Sequence, residues 1–270
     1  VERAEAGQVA DLVLAATPFY AESGGQVGDT GEIRNEQGTA VVEDTTRPLP
    51  DLTAHRARIV SGALSVGASV SAEVDAERRL DIMRNHTSTH LLHRALRQVL
   101  GEHAAQSGSL VSPGRLRFDF THLAPMTRDE LRQVEALVNQ AIRANYPVST
   151  AVKGYDQAVR EGAIALFGEK YGDQVRVVSV EGFSTELCGG THLAATGQIG
   201  QLVITSESSI GSGLRRIEAV TGRGAQEYVR QQLDTLAAAA ERLVAKPDQV
   251  LERLDAVQAE VREQRRFIQE

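Results

Sequence analysis

The chain has 270 residues, of which 41% are hydrophobic, a formal net charge of −7 and a single cysteine. This length is enough to bury a sizeable core in two or three units, and one cysteine excludes an internal disulfide framework. We find no apolar run long enough to cross a bilayer and no signal peptide, so we expect a cytoplasmic protein with no membrane partner. The negative charge argues against general nucleic-acid binding, because affinity for phosphate depends on positive charge.

The first 80 residues are rich in Val, Thr and Gly, with turn signals between short alternating stretches. This pattern predicts a small N-terminal β-barrel or sandwich over residues 1–80. Within it, Gly24 and Gly25 follow the aromatic pair Phe19 and Tyr20. Adjacent glycines favour a tight hairpin, and the neighbouring aromatic side chains also allow a loop that faces a substrate.

Residues 81–223 combine helix and strand patterns and predict an α+β core with a mixed or antiparallel sheet. An apolar-periodic run from Arg84 to a terminating glycine at position 101 predicts a helix. Thr127 and Glu130 form a capping box before a second helical stripe. Alternating or continuous apolar patterns predict strands over residues 115–120, 175–180 and 202–205.

Residues 224–270 carry apolar residues at heptad spacing, which is typical of a coiled coil. Pro247 falls within this pattern and must interrupt a continuous helix, so two antiparallel helices are predicted. Their apolar seam also allows a homodimer. Because the chain begins at Val1 without an initiator methionine and stops at Glu270 inside a helical pattern, we expect it to be a piece of a longer protein.

Two pairs of metal-binding residue types lie about a hundred residues apart. The first pair is His86 and His90, and the second is Cys188 and His192. The spacing of four places both histidines of the first pair on one face of the predicted helix. Two glycines inside the second pair indicate a turn. Three imidazoles and one thiol suit Zn²⁺, so the sequence predicts a zinc site formed by these four residues.

Four protein ligands would make this zinc structural, whereas three ligands and a water would leave it catalytic, and the sequence allows both. A metalloprotease is excluded, because Thr87 occupies the position of its catalytic glutamate. A labile bond, such as an aminoacyl ester on RNA, fits the remaining chemistry. Thr89 and Gln106, the nearest polar residues, are then predicted to orient a small amino acid and a water, with local hydrogen bonding as the alternative.

The other histidines lack a paired spacing. His93 lies on the same predicted helix as His90, where an exposed polar position is the favoured interpretation. A supporting contact to the site or a contact with RNA is the alternative. We interpret the rest as ordinary loop or surface residues: His55, His103 and His122.

Six segments, in order along nearly the whole chain, form one specific combination. They are Phe19–Gln26, Arg84–His93, Arg117–Phe120, Phe167–Asp173, Glu186–His192 and Arg215–Gly222. Together they resemble alanyl-tRNA synthetases and, more distantly, their free-standing editing relatives and the editing domain of threonyl-tRNA synthetases. The resemblance implies post-transfer editing, in which the aminoacyl esters of Ser-tRNA(Ala) and Gly-tRNA(Ala) are hydrolysed and Ala-tRNA(Ala) is spared. It also implies that the aminoacylation domain of the parent is missing here.

The resemblance places the zinc ligands at the four residues already named, and it links Thr89 and Gln106 to substrate discrimination. The implied partner is the acceptor end of tRNA(Ala) carrying Ser or Gly. Five arginines are candidate phosphate contacts, with surface ion pairs as the alternative: Arg78, Arg79, Arg84, Arg215 and Arg216. The competing function is a non-catalytic, zinc-stabilised module for tRNA binding and dimerisation, which metal removal would unfold.

Overall fold

The computed structural model of the chain describes residues 2–165 and 171–269. Residues 167–170, which belong to one of the segments that carry the resemblance, lie outside this described part. The chain forms two compact units, Val1–Arg223 and Gly224–Glu270. The first unit has an α+β fold with three antiparallel sheets, and the second is helical.

The N-terminal strands form a six-stranded antiparallel sheet in the order β1-β5-β4-β3-β6, with β2 also paired to β5. A small apolar core, including Ile33, Val42 and Ile59, covers one face. No described pairing joins β6 to β1 or β2, so the structure shows an open sheet where we expected a barrel. The chain leaves the sheet directly after β6, and a helix begins at Asp75. The strands are β1 (Arg3–Glu5), β2 (Val9–Val13), β3 (Gly31–Asn35), β4 (Gly38–Leu49), β5 (Leu52–Ser65) and β6 (Ser71–Val74).

Two helices, α1 (Ala76–Leu100) and α2 (Arg128–Ala144), pack against a second antiparallel sheet in the order β12-β13-β8-β7. The helix α1 starts earlier than the sequence predicts, because the Asp75 side chain accepts a hydrogen bond from the Arg78 amide. The capping box predicted for α2 is confirmed. The strands are β7 (Gln106–Val111), β8 (Leu116–Thr121), β12 (Leu202–Gly211) and β13 (Leu214–Thr221).

The predicted strand at 115–120 is confirmed as β8, whose residues Leu116, Phe118 and Phe120 are fully buried under the helices. The predicted strand at 175–180 belongs to a third antiparallel sheet, in the order β11-β10-β9. A short helix, α3 (Tyr155–Arg160), packs against this sheet. The strands are β9 (Val148–Gly154), β10 (Gln174–Val180) and β11 (Ser184–Leu187).

The C-terminal segment forms two helices, α4 (Gly222–Arg242) and α5 (Val250–Gln269). The predicted interruption is confirmed, since a short 3₁₀ turn begins at Pro247. The described residues show no coiled-coil seam, and half of the ten heptad residues are exposed: Leu233, Leu236, Leu254, Val261 and Ile268. Neither these helices nor the others in residues 2–165 and 171–269 are long and apolar enough to cross a membrane.

Candidate metal centre

The structure brings the two predicted pairs of metal-binding residues together. His86 and His90 lie one turn apart on α1, with nearly parallel rings whose centroids are 5.6 Å apart. Cys188 and His192 lie on the loop that follows β11, as the glycine spacing predicts. The His192 ring is 4.4 Å from that of His86 and 4.9 Å from that of His90. One nitrogen from each histidine and the thiol sulfur lie within 4.8 Å of one another.

The spacing of these donor atoms fits a four-coordinate cation. The Cys188 Sγ lies 3.3 Å from Nε2 of His86 and 3.3 Å from Nε2 of His192. Zinc bonds of about 2.0–2.1 Å to nitrogen and about 2.3 Å to sulfur give tetrahedral edges of about 3.3–3.6 Å. The four residues can therefore hold a metal ion.

Hydrogen bonds from outside the cluster orient two of the imidazoles. His86 Nδ1 lies 2.6 Å from the amide oxygen of Gln26, and His90 Nδ1 lies 2.7 Å from a carboxylate oxygen of Glu186. Since both partners accept, Nδ1 carries the proton in each ring and Nε2 is left to bind a metal. The His90 Nε2 atom is buried and has no hydrogen-bond partner among the described residues. A metal ion would satisfy this buried atom.

Electrostatics favour the metal-binding forms of two donors. Burial, together with the neighbouring His86, lowers the pKa of His192 to about 3, so the His192 imidazole is neutral. Burial opposes ionisation of Cys188, but the neighbouring imidazoles, with that of His86 first, outweigh it and lower the thiol pKa well below its usual range. The Gly190 amide also donates to the sulfur at 3.5 Å. A thiolate and a neutral imidazole are the forms that bind metals.

The pKa of a third donor, His90, is raised instead of lowered. Burial opposes protonation of His90, but the Glu186 carboxylate outweighs it and raises the pKa of His90 to about 10. The same charge pair lowers the pKa of Glu186, against the effect of its burial. A metal ion at His90 Nε2 would replace the second proton of this imidazolium and keep the bond to Glu186.

The loop that carries Cys188 is tightly held. The Arg176 guanidinium donates to the carbonyl oxygens of Cys188 and Gly190, at 2.9 and 2.7 Å. Gly190 packs directly on the His86 imidazole, and a Cβ atom there would overlap with that ring. Gly189 has open space at the same point. The sequence indicates only that the two glycines make a turn possible. The structure adds that position 190 requires glycine, because the backbone there lies directly against the His86 ring.

A cleft of about 460 Å³ lies beside the metal-binding residues. Thr89 and Gln106 both line it, so the structure brings both predicted substrate-orienting residues to the metal-binding cluster. The Thr89 hydroxyl donates to the His86 carbonyl oxygen at 2.7 Å. Tyr20 and Arg47 also line the cleft, and no sequence pattern indicated Arg47.

The predicted tight turn at Gly24 and Gly25 is confirmed. Both glycines have positive φ values, 57° and 80°, and Ser23 and Gln26 exchange backbone hydrogen bonds across them. Gly24 also lines the cleft. The turn docks on β7, because the Val111 amide donates to the Gly25 carbonyl oxygen at 2.7 Å. A loop of the N-terminal sheet thus contributes to the cleft.

The five candidate tRNA-binding arginines all have partners within the chain. Arg78 and Arg84 donate to the backbone oxygens of Gly28 and Gln198 respectively, and Arg79 contacts Asp29. In addition, Arg84 pairs with Asp81 at 2.7 Å. Two carboxylates bind the others with both oxygens: Arg215 with Glu207 and Arg216 with Asp119. Their contact with tRNA stays a prediction.

Sequence reasoning missed the residues that support the ligands. His93 is buried, 1% exposed, and its Nδ1 lies 3.0 Å from Glu186, so the favoured interpretation as an exposed position was wrong. His55, interpreted as a loop or surface residue, is buried on β5. Gln26 and Glu186 were not predicted as site residues. Glu186 stands two positions before Cys188, and the alternation of the short strand β11 was the available signal.

Two family models match the chain. The model described as "Threonyl and Alanyl tRNA synthetase second additional domain" matches residues 175–218, which include Cys188 and His192. The model described as "tRNA synthetases class II (A)" matches residues 1–78. These matches place residues 1–78 and 175–218 in the class of tRNA synthetases, and the second match holds two of the four metal-binding residues.

Similar curated proteins narrow this class. The chain is 54% identical to an alanine–tRNA ligase of Chloroflexus aurantiacus, across 98% of the chain and 31% of that protein. It is 49% identical to the one of Roseiflexus castenholzii, across 100% and 32%, and 51% identical to the one of Dehalococcoides mccartyi, across 97% and 30%. The chain is a segment of the alanyl-tRNA synthetase family that covers the editing region. It spans about a third of the length of these relatives.

Proposed function

We propose that this chain hydrolyses the aminoacyl ester of Ser-tRNA(Ala) and Gly-tRNA(Ala), as the zinc-dependent post-transfer editing part of an alanine–tRNA ligase. The observation that carries this proposal is the cleft in which His86, His90 and Cys188 meet Thr89 and Gln106. An aminoacyl group is small enough for a cleft of about 460 Å³. The donor set of three imidazoles and one thiolate supports zinc as the ion.

Thr89 supplies a physical basis for selecting serine. Its hydroxyl hydrogen is used by the His86 carbonyl oxygen, so the hydroxyl oxygen presents only lone pairs to the cleft. A serine side chain can donate a hydrogen bond to this oxygen, whereas the alanine methyl group leaves it unpaired, at a cost of about 1–3 kcal/mol. Glycine places no methyl group there and leaves room for a water.

When bound by His86, His90, Cys188 and His192, a zinc ion would supply a positive charge beside the ester. Four protein donors fill a tetrahedral site, so in this proposal the side chains of the cleft orient the attacking water. Gln106 at the start of β7 has an amide that can both donate to and accept from that water. Arg176 and Gly190 hold the Cys188 loop in place and keep the wall of the cleft fixed.

The acceptor end of tRNA(Ala) is the proposed partner, and the cytoplasm is the proposed location. Arg47 lies at the cleft close enough to Tyr20 to influence its hydroxyl, and we propose that it faces the phosphates of the incoming acceptor strand.

The test is deacylation of Ser-tRNA(Ala) and Ala-tRNA(Ala) by this chain, with zinc content measured on the same preparation. We expect selective release of serine, reduced about 10²-fold or more by Gln106→Ala, while Gln37→Ala on the exposed β3–β4 turn serves as the control. Thr89→Ser should retain selectivity and Thr89→Val should lose it. A zinc-loaded sample that binds tRNA and releases neither amino acid would refute hydrolysis and favour the non-catalytic binding module.

A further inference from the structure

Gln26, a residue of the N-terminal sheet unit, touches both halves of the metal-binding cluster. Its amide oxygen lies 2.6 Å from Nδ1 of His86 and 2.9 Å from the backbone nitrogen of Thr191. Its amide nitrogen lies 3.0 Å from the Thr191 hydroxyl. His86 belongs to the first metal-binding pair, and Thr191 stands between Cys188 and His192 of the second. One side chain thus links three distant parts of the sequence.

The orientation of the Gln26 amide is fixed by its neighbours. The backbone N–H of Thr191 can only donate, so the amide atom that faces it must be the oxygen. The same oxygen faces His86 Nδ1, which must therefore carry a proton. In a neutral imidazole the other nitrogen, Nε2, then has its lone pair free, and this atom lies 3.3 Å from the Cys188 sulfur.

Gln26 is itself held rigidly. It is fully buried and follows the Gly24–Gly25 turn, where a Cβ atom at Gly25 would overlap with Ser109 of β7. The adjacent Val27 amide donates to the Val111 carbonyl oxygen at 3.1 Å, which attaches the turn to β7. A side chain on a fixed backbone with three specific partners is organised before any ligand binds.

We propose that Gln26 is a positioning residue of the metal centre: it selects the His86 tautomer that binds metal and holds the Cys188–His192 loop at the correct distance from α1. This inference rests on the proposed function only for the identity of the ion, zinc. It makes the loop at residues 23–27 of the N-terminal sheet a part of the metal centre, although the loop supplies no ligand. Outer hydrogen bonds of this kind change metal affinity by about 10–100-fold.

Two substitutions at the same position separate hydrogen bonding from packing. Gln26→Met has a similar volume and removes both polar groups, so His86 and the Thr191 amide lose their acceptor. Gln26→Glu keeps the oxygen that accepts from both, and its second oxygen can accept from the Thr191 hydroxyl, which is able to donate. Gln37→Met, at an exposed turn of the same sheet unit, is the control for a general effect of the substitution.

The experiment measures zinc affinity of each purified variant by competition with a chromogenic chelator, and the visible absorption of the cobalt-substituted proteins. Gln26→Met should lower zinc affinity about 10–100-fold and alter the cobalt spectrum, while Gln26→Glu and Gln37→Met stay near the parent protein. Circular dichroism of each variant verifies that it is folded. Neither of these two measurements depends on deacylation, so loss of editing activity alone does not change the result for Gln26.

The possible failures are distinct. If the parent protein binds zinc and Gln26→Met binds it equally well with an unchanged cobalt spectrum, the positioning role is refuted and the proposed function stands. If the parent binds zinc but does not release serine from Ser-tRNA(Ala), the proposed function fails and the role of Gln26 is judged by affinity alone. If the parent binds no zinc or cobalt, the inference about Gln26 is overturned together with the zinc site.

Discussion

Glu186 lies 2.7 Å from Nδ1 of His90 through one carboxylate oxygen, although 96 positions separate the two residues. Its other oxygen lies 3.0 Å from His93 Nδ1 and 3.0 Å from the Ser184 hydroxyl. Both imidazoles and the carboxylate are buried. A buried charge is tolerated only when it is paired, so this carboxylate joins β11 to α1 at the point where the metal ligands meet.

Glu186→Gln should weaken metal binding. An amide has a single accepting oxygen, so it can serve only one of His90 and His93 and presents N–H groups to the other. We expect zinc affinity to fall about 10–100-fold, which a competition assay with a chromogenic chelator measures. Glu181→Gln, in an exposed turn five residues earlier, should leave the affinity unchanged. Equal affinities in the two variants would show that the carboxylate does not orient His90.

Gly190→Ala should damage the metal centre far more than Gly189→Ala. The new Cβ at position 190 would overlap with the His86 imidazole, whereas position 189 has open space. Neither glycine has a positive φ, so steric overlap alone separates the two variants. Zinc measured after gel filtration should be retained by Gly189→Ala and largely lost by Gly190→Ala. Full zinc content in both variants would contradict the close approach to His86.

The metal-binding residues were predictable because each of the two pairs is recognisable from the spacing of neighbouring residues in the sequence. The spacing of four on a helix places His86 and His90 on one face, and the glycines between Cys188 and His192 indicate a turn. The supporting residue Gln26 was not predictable in this way. Its contact with His86 depends on the docking of a turn onto β7, at the bridge between Gln26 and Val111, which no local pattern encodes.

The fold shows the same division between local and long-range information. The alternation of Leu116, Phe118 and Phe120 and the capping box of α2 fix elements locally, and both predictions are confirmed. Closure of the N-terminal sheet depends on which distant strands pair, and the prediction of a closed barrel was wrong. The heptads identify an apolar stripe along α4 and α5, but the spacing contains no information on what covers it.

Arg215 should contribute more than Arg47 to the free energy of unfolding. Arg215 is nearly buried and binds Glu207 with two hydrogen bonds, so Arg215→Met should lower the free energy of unfolding by about 3 kcal/mol. Arg47 is exposed and makes no ion pair among the described residues, so Arg47→Gln should change stability by less than about 0.5 kcal/mol. Urea titrations measure both values.

The tRNA affinity of the same variants tests the placement of Arg47. We expect Arg47→Gln to weaken binding of tRNA(Ala) and to reduce the slope of log affinity against log salt by about one. The slope for Arg215→Met should match that of the parent chain, because its charge is already paired with Glu207. An unchanged slope for Arg47→Gln would remove this residue from the set of phosphate contacts.

His55 should make the stability of the chain depend on pH. Its ring is buried, with Nδ1 2.8 Å from the Leu12 carbonyl oxygen and Nε2 2.7 Å from the Thr17 hydroxyl. Burial lowers the pKa of His55 below its usual 6.5 in spite of the hydrogen bond to Leu12. The unfolded chain therefore binds a proton near pH 6.5, while the folded chain binds it only at lower pH.

The sign of the effect follows from this difference in pKa. The contribution of neutral His55 is fully present above about pH 6.5 and is lost as the pH falls toward the lowered folded pKa, by at most about 1.4 kcal/mol per pH unit. Urea unfolding at pH 7.5, 6.5 and 5.5 should show this loss in the parent chain and a smaller one in His55→Gln. Because the metal centre titrates in both proteins, its contribution cancels in the comparison. His103→Gln, at an exposed position, should show the same dependence of stability on pH as the parent chain. If His55→Gln shows the same dependence on pH as the parent, the buried neutral imidazole is not the source of the acid sensitivity.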